Sequence, residues 1–157
     1  MSYNELKQHG TVDFPIELYH IDHTHTRYEM SAHWHSEIEI IRVLSGKLNI
    51  KLNNTTYEVK ENEVIFVNPE TVHQASPHDC VYECIVFKPD FIRSFNNGSA
   101  YFIDSLKNQE YIITEYYHGQ SNGIILATTK LFDMMTNKSS GYKFKVIGAL
   151  YNLFGEI

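Results

Sequence analysis

Long hydrophobic runs are missing from this chain, and so is any excess of basic charge. Its longest apolar stretches are pieces such as Val64-Ile65-Phe66-Val67, far below the roughly 20 residues that a membrane-spanning helix needs. The first ten residues, MSYNELKQHG, offer no apolar core for a secretory signal. Lys and Arg number 13 against 19 Asp and Glu, a formal charge of −6. Gripping phosphate backbones takes a concentrated basic face, so nucleic-acid binding by this segment itself is disfavoured. Cysteine is scarce as well: Cys80 and Cys84 lie four apart in what reads as a strand. At about 3.3 Å per residue their Cα atoms stand roughly 13 Å apart, too far for a disulfide. Nothing basic adjoins them to lower a thiol pKa, so both read as structural thiols of a protein expected in the reducing cytoplasm. What is present is enough for one domain: 157 residues, 43% apolar, with 11 Tyr and 9 Phe. Nine histidines are the compositional oddity, and they cluster.

From Phe14 to Tyr117 the texture is that of short strands. Lys47-Leu48-Asn49-Ile50-Lys51-Leu52 alternates polar and apolar residues with period two, the mark of a half-buried strand. Asn53-Asn54 suits a tight hairpin turn, and Thr55 to Lys60 resumes the β pattern. Val64 to Val67 reads as a short buried strand stopped by Asn68-Pro69, and Cys80 to Phe87 as another stopped by Lys88-Pro89. Upstream, Phe14 to Asp22 and Arg27 to Leu44 also read as strands, with Gly46 marking a turn. Ser99 to Tyr117 reads as a loop, a helical turn and a strand returning at Tyr111 to Glu115. Strands at this spacing argue for a sandwich or barrel.

From about Gln120 onward the period changes. Ile124, Ala127, Leu131 and Met134-Met135 recur at helical intervals, with Ser121 or Asn122 as the N-cap. Ser139-Ser140 is again cap-like, and Val146, Ile147, Leu150, Leu153, Phe154 and Ile157 form one stripe. The short joining loop predicts an antiparallel helical hairpin. The stripe still runs at Ile157 without a stop signal, which reads as a cut in or just after a helix that leads elsewhere. The apolar stripe predicts either packing on the barrel or a dimer interface.

The chemistry-bearing segment is His33-Trp34-His35-Ser36-Glu37-Ile38-Glu39. On an ideal strand His33, His35 and Glu39 share one face, with Trp34 opposite as a packing residue. Glu37 shares that face too, and would repel Glu39 unless a bulge, a proton or a cation intervenes. His73 follows Pro69 just past another strand. His20, His23 and His25 fit a solvated loop, and His9, His78 and His118 stand alone.

His33-x-His35, then three residues, Glu39, six residues and Gly46 resembles the first metal-ligand motif of the cupins, and Pro69 to His73 resembles the second. The second motif is one residue shorter than usual and lacks its glycine; Arg27 and Glu63 stand where glycines are customary. These departures, with Val43-Leu44-Ser45-Gly46 and Phe87-Lys88-Pro89-Asp90-Phe91, resemble the N-terminal sensor domain of AraC-family transcription regulators. The resemblance implies a mainly β fold: a cupin-like jelly-roll β-barrel over residues 1–118, followed by a C-terminal antiparallel helical hairpin over 119–157. It implies a small-molecule-sensing and dimerising domain that relays effector binding through the hairpin to DNA-binding domains absent from this chain. The partners implied are a sugar or other small metabolite, a second copy of the chain, and DNA only through the missing domain, with no membrane. His33, His35, Glu39 and His73 then carry three competing readings: effector-binding groups, which leads; ligands of a divalent metal; or a self-satisfied polar network. No cofactor is required by the first reading. The alternative from another class is a small metal-dependent cupin enzyme of dioxygenase or isomerase type.

Overall fold

The computed structural model, which describes residues 2–93, 98–119 and 123–157, is organised around two 15-residue strands, β4 (Ile38–Leu52) and β7 (His73–Phe87). Around them lie β1 (Tyr3–Asn4), β2 (Ile16–Ile21), β3 (Met30–Trp34), β5 (Thr55–Lys60), β6 (Val64–Val67) and β8 (Tyr116–Tyr117). Among the described residues there are three α-helices, α1 (Ser99–Lys107), α2 (Gly123–Asn137) and α3 (Tyr142–Glu156), besides a single 3-10 turn at Pro89–Phe91. The long strands pair antiparallel from Ile38 opposite Phe87 to Leu52 opposite His73. The free edge of β4 takes β6 along one half and β5 along the other. The free edge of β7 takes β2 and then β3 in the same way. Each long strand therefore serves both halves of a barrel-like sheet, and side chains from both halves meet in one interior apolar cluster.

The change of half falls at Gly46. Sequence alone suggests a turn there, but the strand continues, and register shifts between Val43 and Lys47 mark a bulge instead. Gly46 has φ +74°, and a Cβ on it would sit 2.1 Å from the Asp79 carbonyl oxygen. Bulges of this kind bend a strand and sharpen its twist. Gly46→Ala combines a left-handed backbone with a clash against main chain, so it is expected to cost about 2 kcal/mol or more; urea titration of the variant measures it.

The continuous apolar runs have a physical reason. Ile38, Ile40, Val64, Phe66, Ile85 and Phe87 pack outward against Ile124, Leu131, Phe132, Val146, Leu150 and Leu153 of the helices. Their alternate neighbours Ile41, Val43, Ile65, Val67, Tyr82 and Cys84 face the barrel interior. Strands covered on both faces lose the polar alternation that one solvated face imposes. The helices α2 and α3 pack on each other as the expected hairpin.

Several boundaries move. The strand expected from Arg27 to Leu44 is two strands, broken at residues 35–37, and β7 begins at His73 rather than Cys80. Residues 99–107 form a full helix, and the returning strand pairs at Tyr116–Tyr117 rather than from Tyr111. Asn68 holds that return in place, donating to the Ile113 carbonyl and accepting from the Ile113 N–H, both at 2.9 Å. Gly141, at φ +71°, caps α3 in place of Ser139-Ser140. The caps expected at Ser121 or Asn122 lie outside the described residues. Among the described residues, no helix is long and apolar enough to cross a membrane.

Candidate functional site

His33, His35, Glu39 and His73 converge: one donor atom from each lies within 4.8 Å of all the others, and all four are buried. They reach this point from different elements. His33 stands on β3 directly opposite His73 on β7, with ring centroids 4.1 Å apart. His35 lies in the break after β3. Glu39 is the second residue of β4, on the interior face between Val67 and Val86 of the flanking strands. The same break turns Glu37 away from Glu39, which removes the repulsion expected of two carboxylates on one strand face. Glu37 instead borders a separate surface groove with Trp34 and Lys88.

Backbone carbonyls fix how each imidazole presents itself. The Nδ1–H of His33 donates to Ser31 O at 2.8 Å, that of His35 to Glu37 O at 3.2 Å, and that of His73 to Thr71 O at 2.9 Å. Each Nε2 is thereby left to face the cluster. His35 Nε2 lies 3.3 Å and His73 Nε2 3.2 Å from Glu39 Oε2. The His73 atom is not angled for a hydrogen bond, and it has no other partner among the described residues. Burial alone would lower His35, but the Glu39 carboxylate outweighs it and raises the imidazole above its usual value. Burial works against the Glu39 carboxylate in turn, and His35 and His73 overcome it, holding the group well below the usual carboxylate range. His33 is held low by burial and by His73 beside it. Three imidazole lone-pair positions and a carboxylate that converge in a buried space need positive charge between them. A proton on His35 supplies some of it. A divalent ion would supply more, and imidazole Nδ1–H bonds to carbonyls are the outer-shell arrangement that metal-ligating histidines use.

His33, His35 and Glu39 of the cluster form one wall of a cavity of about 220 Å³, which the fully buried His73 does not line. Other walls come from residues to which the sequence pattern gave no role: Glu5, Lys7 and His9 of the N-terminal segment, with Tyr19, Arg27 and Cys84. His9 is buried, and its Nδ1 lies 2.8 Å from the Tyr19 hydroxyl. That hydroxyl donates to Glu17 at 2.9 Å, so His9 Nδ1 must be the donor in the first bond. These contacts join residues of different strands with no repeating interval, so no spacing rule could have revealed them.

The remaining sequence candidates are placed as follows. Cys80 and Cys84 are free and buried; burial raises both thiols, Cys80 to about 11. His20 and His23 are exposed and His25 half-buried. His20 Nδ1 lies 2.9 Å from Glu83, and the three belong to no metal-like cluster among the described residues. In the C-terminal stripe, Val146, Leu150 and Leu153 are fully buried against the chain's own barrel, while Ile147, Phe154 and Ile157 remain partly covered. The buried three are therefore occupied within the chain, and a partner could meet only the rest of that helix.

Comparison with known proteins places the chain in a family. The profile of the AraC-like ligand binding domain matches residues 15–110, more than half of the chain. The uncharacterized HTH-type transcriptional regulator YdeC of Bacillus subtilis (strain 168) is 28% identical over 149 residues, covering 90% of this chain and 51% of that protein. The chain thus spans about half the length of this curated relative. Among solved structures, an HTH_3 family transcriptional regulator from Vibrio cholerae shares 23% identity over 50% of this chain and 46% of its own, with a TM-score of 0.40. A cupin protein from Bacteroides fragilis shares 22% over 46% of this chain and 64% of its own, with a TM-score of 0.38. The chain belongs to the AraC-like ligand binding domain family.

Proposed function

We propose that this chain is the effector-sensing part of a transcription regulator. A small molecule enters the cavity beside His33, His35, Glu39 and His73, and the same four residues hold a divalent metal ion. The observation that carries this reading is the convergence of three imidazoles and one carboxylate, of which His33, His35 and Glu39 line a cavity. Imidazole and carboxylate together suit Zn, Ni, Mn or Fe(II), and the ion would offer open positions to a ligand's oxygen or nitrogen atoms. Residues 1–118 act as the sensor and 119–157 as the transmitter. Effector binding biases the arrangement of two DNA-binding domains carried elsewhere in a cytoplasmic dimer, and it can do so only by its differential affinity for the two arrangements. Since Val146, Leu150 and Leu153 are buried within the chain, self-association uses the outer face of the hairpin.

Metal analysis tests the metal-site reading. After incubation with Zn, Ni, Mn or Fe(II) and dialysis, about one ion per chain is expected, with His73→Ala losing it. Imidazoles must be unprotonated to ligate, so affinity is expected to fall as pH drops through the raised value of His35. A chain that stays metal-free with all four ions sinks the metal reading. The effector reading is tested separately by thermal shift: a ligand at 100 times its Kd adds about 2.7 kcal/mol. The metal-dependent enzyme reading uses the same four ligands; it gains ground only if a bound small molecule is converted, as followed by mass spectrometry.

A further inference from the structure

The cavity already holds a carboxylate, and the chain supplies it. Glu5 pairs with Arg27, and its second oxygen lies 3.5 Å from His33 Nε2. Its side chain is only 12% exposed. One acidic group therefore lies between the cavity's guanidinium and an imidazole of the four-residue cluster.

Toward its C-terminal end the segment is anchored by buried His9 and by Gly10, whose N–H donates to Glu17 at 2.9 Å; around Glu5 itself little seats it. Strand β1 is two residues long, and both are exposed. The Glu5 N–H donates to Trp34 O at 2.9 Å, and the Tyr3 ring stacks on His33 at 5.7 Å. Leu6, the next residue, is 90% exposed. No apolar side chain on either side of Glu5 is driven inward, so ahead of Lys7 and His9, which also line the cavity, the acid is the group that holds the segment there. With Glu5 withdrawn, Lys7 keeps Glu17 nearby and His35 keeps Glu37 and Glu39, whereas Arg27, 43% exposed, loses the carboxylate it pairs with. Its planar fork fits a carboxylate by two parallel bonds.

We propose that the natural ligand of this cavity is a small carboxylate that takes the place of Glu5 between Arg27 and His33, which makes the N-terminal segment a resident competitor. The inference rests on the reading of the cavity as the effector site and narrows that ligand to a chemical class. A cavity of about 220 Å³ limits the ligand to about six to ten heavy atoms, since roughly 150 Å³ accommodates benzene. Apparent affinity is reduced by the fraction of chains whose cavity is free. A segment seated about nine-tenths of the time thus weakens ligand binding about tenfold.

The test is calorimetric titration of the 157-residue chain with benzoate, succinate and 2-hydroxybutyrate, alongside benzamide, succinamide and 1,2-butanediol as neutral counterparts. Glu5→Gln keeps the shape of the side chain and removes its charge. The expected result is that at least one acid binds Glu5→Gln about tenfold more tightly than the parent chain, that no neutral counterpart gains, and that adding Arg27→Gln abolishes the gain. Thermal unfolding of each variant confirms that the barrel is intact. Equal acid affinity in parent and Glu5→Gln, equal gains by acids and neutral counterparts, or no acid binding at all would each overturn the proposal. A neutral molecule that binds the cavity independently of Glu5 and Arg27 would overturn the carboxylate class while leaving the effector site standing. The absence of any ligand from a broad metabolite panel would remove the effector reading as well.

Discussion

Replacing Glu39 by Gln is expected to destabilise the metal-free chain by about 3 kcal/mol near pH 6, because breaking a buried ion pair leaves its partner uncompensated. For a domain of this size that corresponds to a fall of about 6–12 °C in Tm. The effect should depend on pH in a definite sense. Glu39 titrates well below its usual 4.5 in the folded chain, so its contribution is present above pH 4.5 and fades as pH falls through the folded value. His35 titrates above its usual 6.5, so its contribution is full below pH 6.5 and fades as pH rises through the folded value. The difference between parent and Glu39→Gln is therefore expected to be largest between about pH 4.5 and 6.5 and to shrink on both sides. Denaturant unfolding at pH 3.5, 5.5 and 9 measures it. A cost that stays below 1 kcal/mol and does not change with pH would mean that the pair is not ionised in the folded chain.

Metal should invert the alkaline half of that profile. An ion bound by His33, His35, Glu39 and His73 requires His35 to give up its proton. Metal-loaded chain is thus expected to gain stability as pH rises from 6 to 8, over the range where the metal-free chain loses the His35 contribution. Proton release on titration with Zn gives the same information directly.

Much of this site was legible in the sequence, and the physical reason is its short spacing. His33, His35 and Glu39 fall within seven residues, so local geometry confines them to one region whatever the rest of the chain does. His73 was found through its position after a strand-stopping proline, and the pairing of β3 with β7 sets it opposite His33. The strands with polar alternation, such as Lys47 to Leu52, were readable because one face is wet. The doubly buried runs gave existence but not extent: period two vanishes when helices cover the outer face. The Gly46 bulge escaped because a glycine at positive φ reads the same in a turn and in a bulge. Glu5, Lys7, His9 and Arg27 escaped because only tertiary folding carries the N-terminal segment across the cavity mouth.

Phe132→Ala is expected to be the most damaging single change, at about 4 kcal/mol, or about 8–16 °C in Tm. Its ring is fully buried between α2 and the outer face of the barrel, and the Arg42 guanidinium lies over it at 4.4 Å. Arg42 is fixed in turn by Glu83 through bonds of 2.9 and 2.8 Å. Phe132→Leu keeps most of the volume and should cost far less. A double-mutant cycle with Arg42→Met should recover about 1 kcal/mol of coupling between cation and ring. The position matters beyond stability, because Ile38 and Ile40 pack into the same helix-facing core while Glu39 between them points into the cluster with His33, His35 and His73. One strand thus has the site on its inner face and the hairpin on its outer face, one residue apart. A ligand that shifts β4 by even a few tenths of an ångström must be accommodated by α2 and α3, since close-packed interiors transmit strain. Hydrogen exchange is the direct readout: adding metal or effector is expected to raise amide protection in α2 as well as in β4. Protection that rises in β4 alone would uncouple the hairpin from the site and leave the barrel as a binding module without a transmitter.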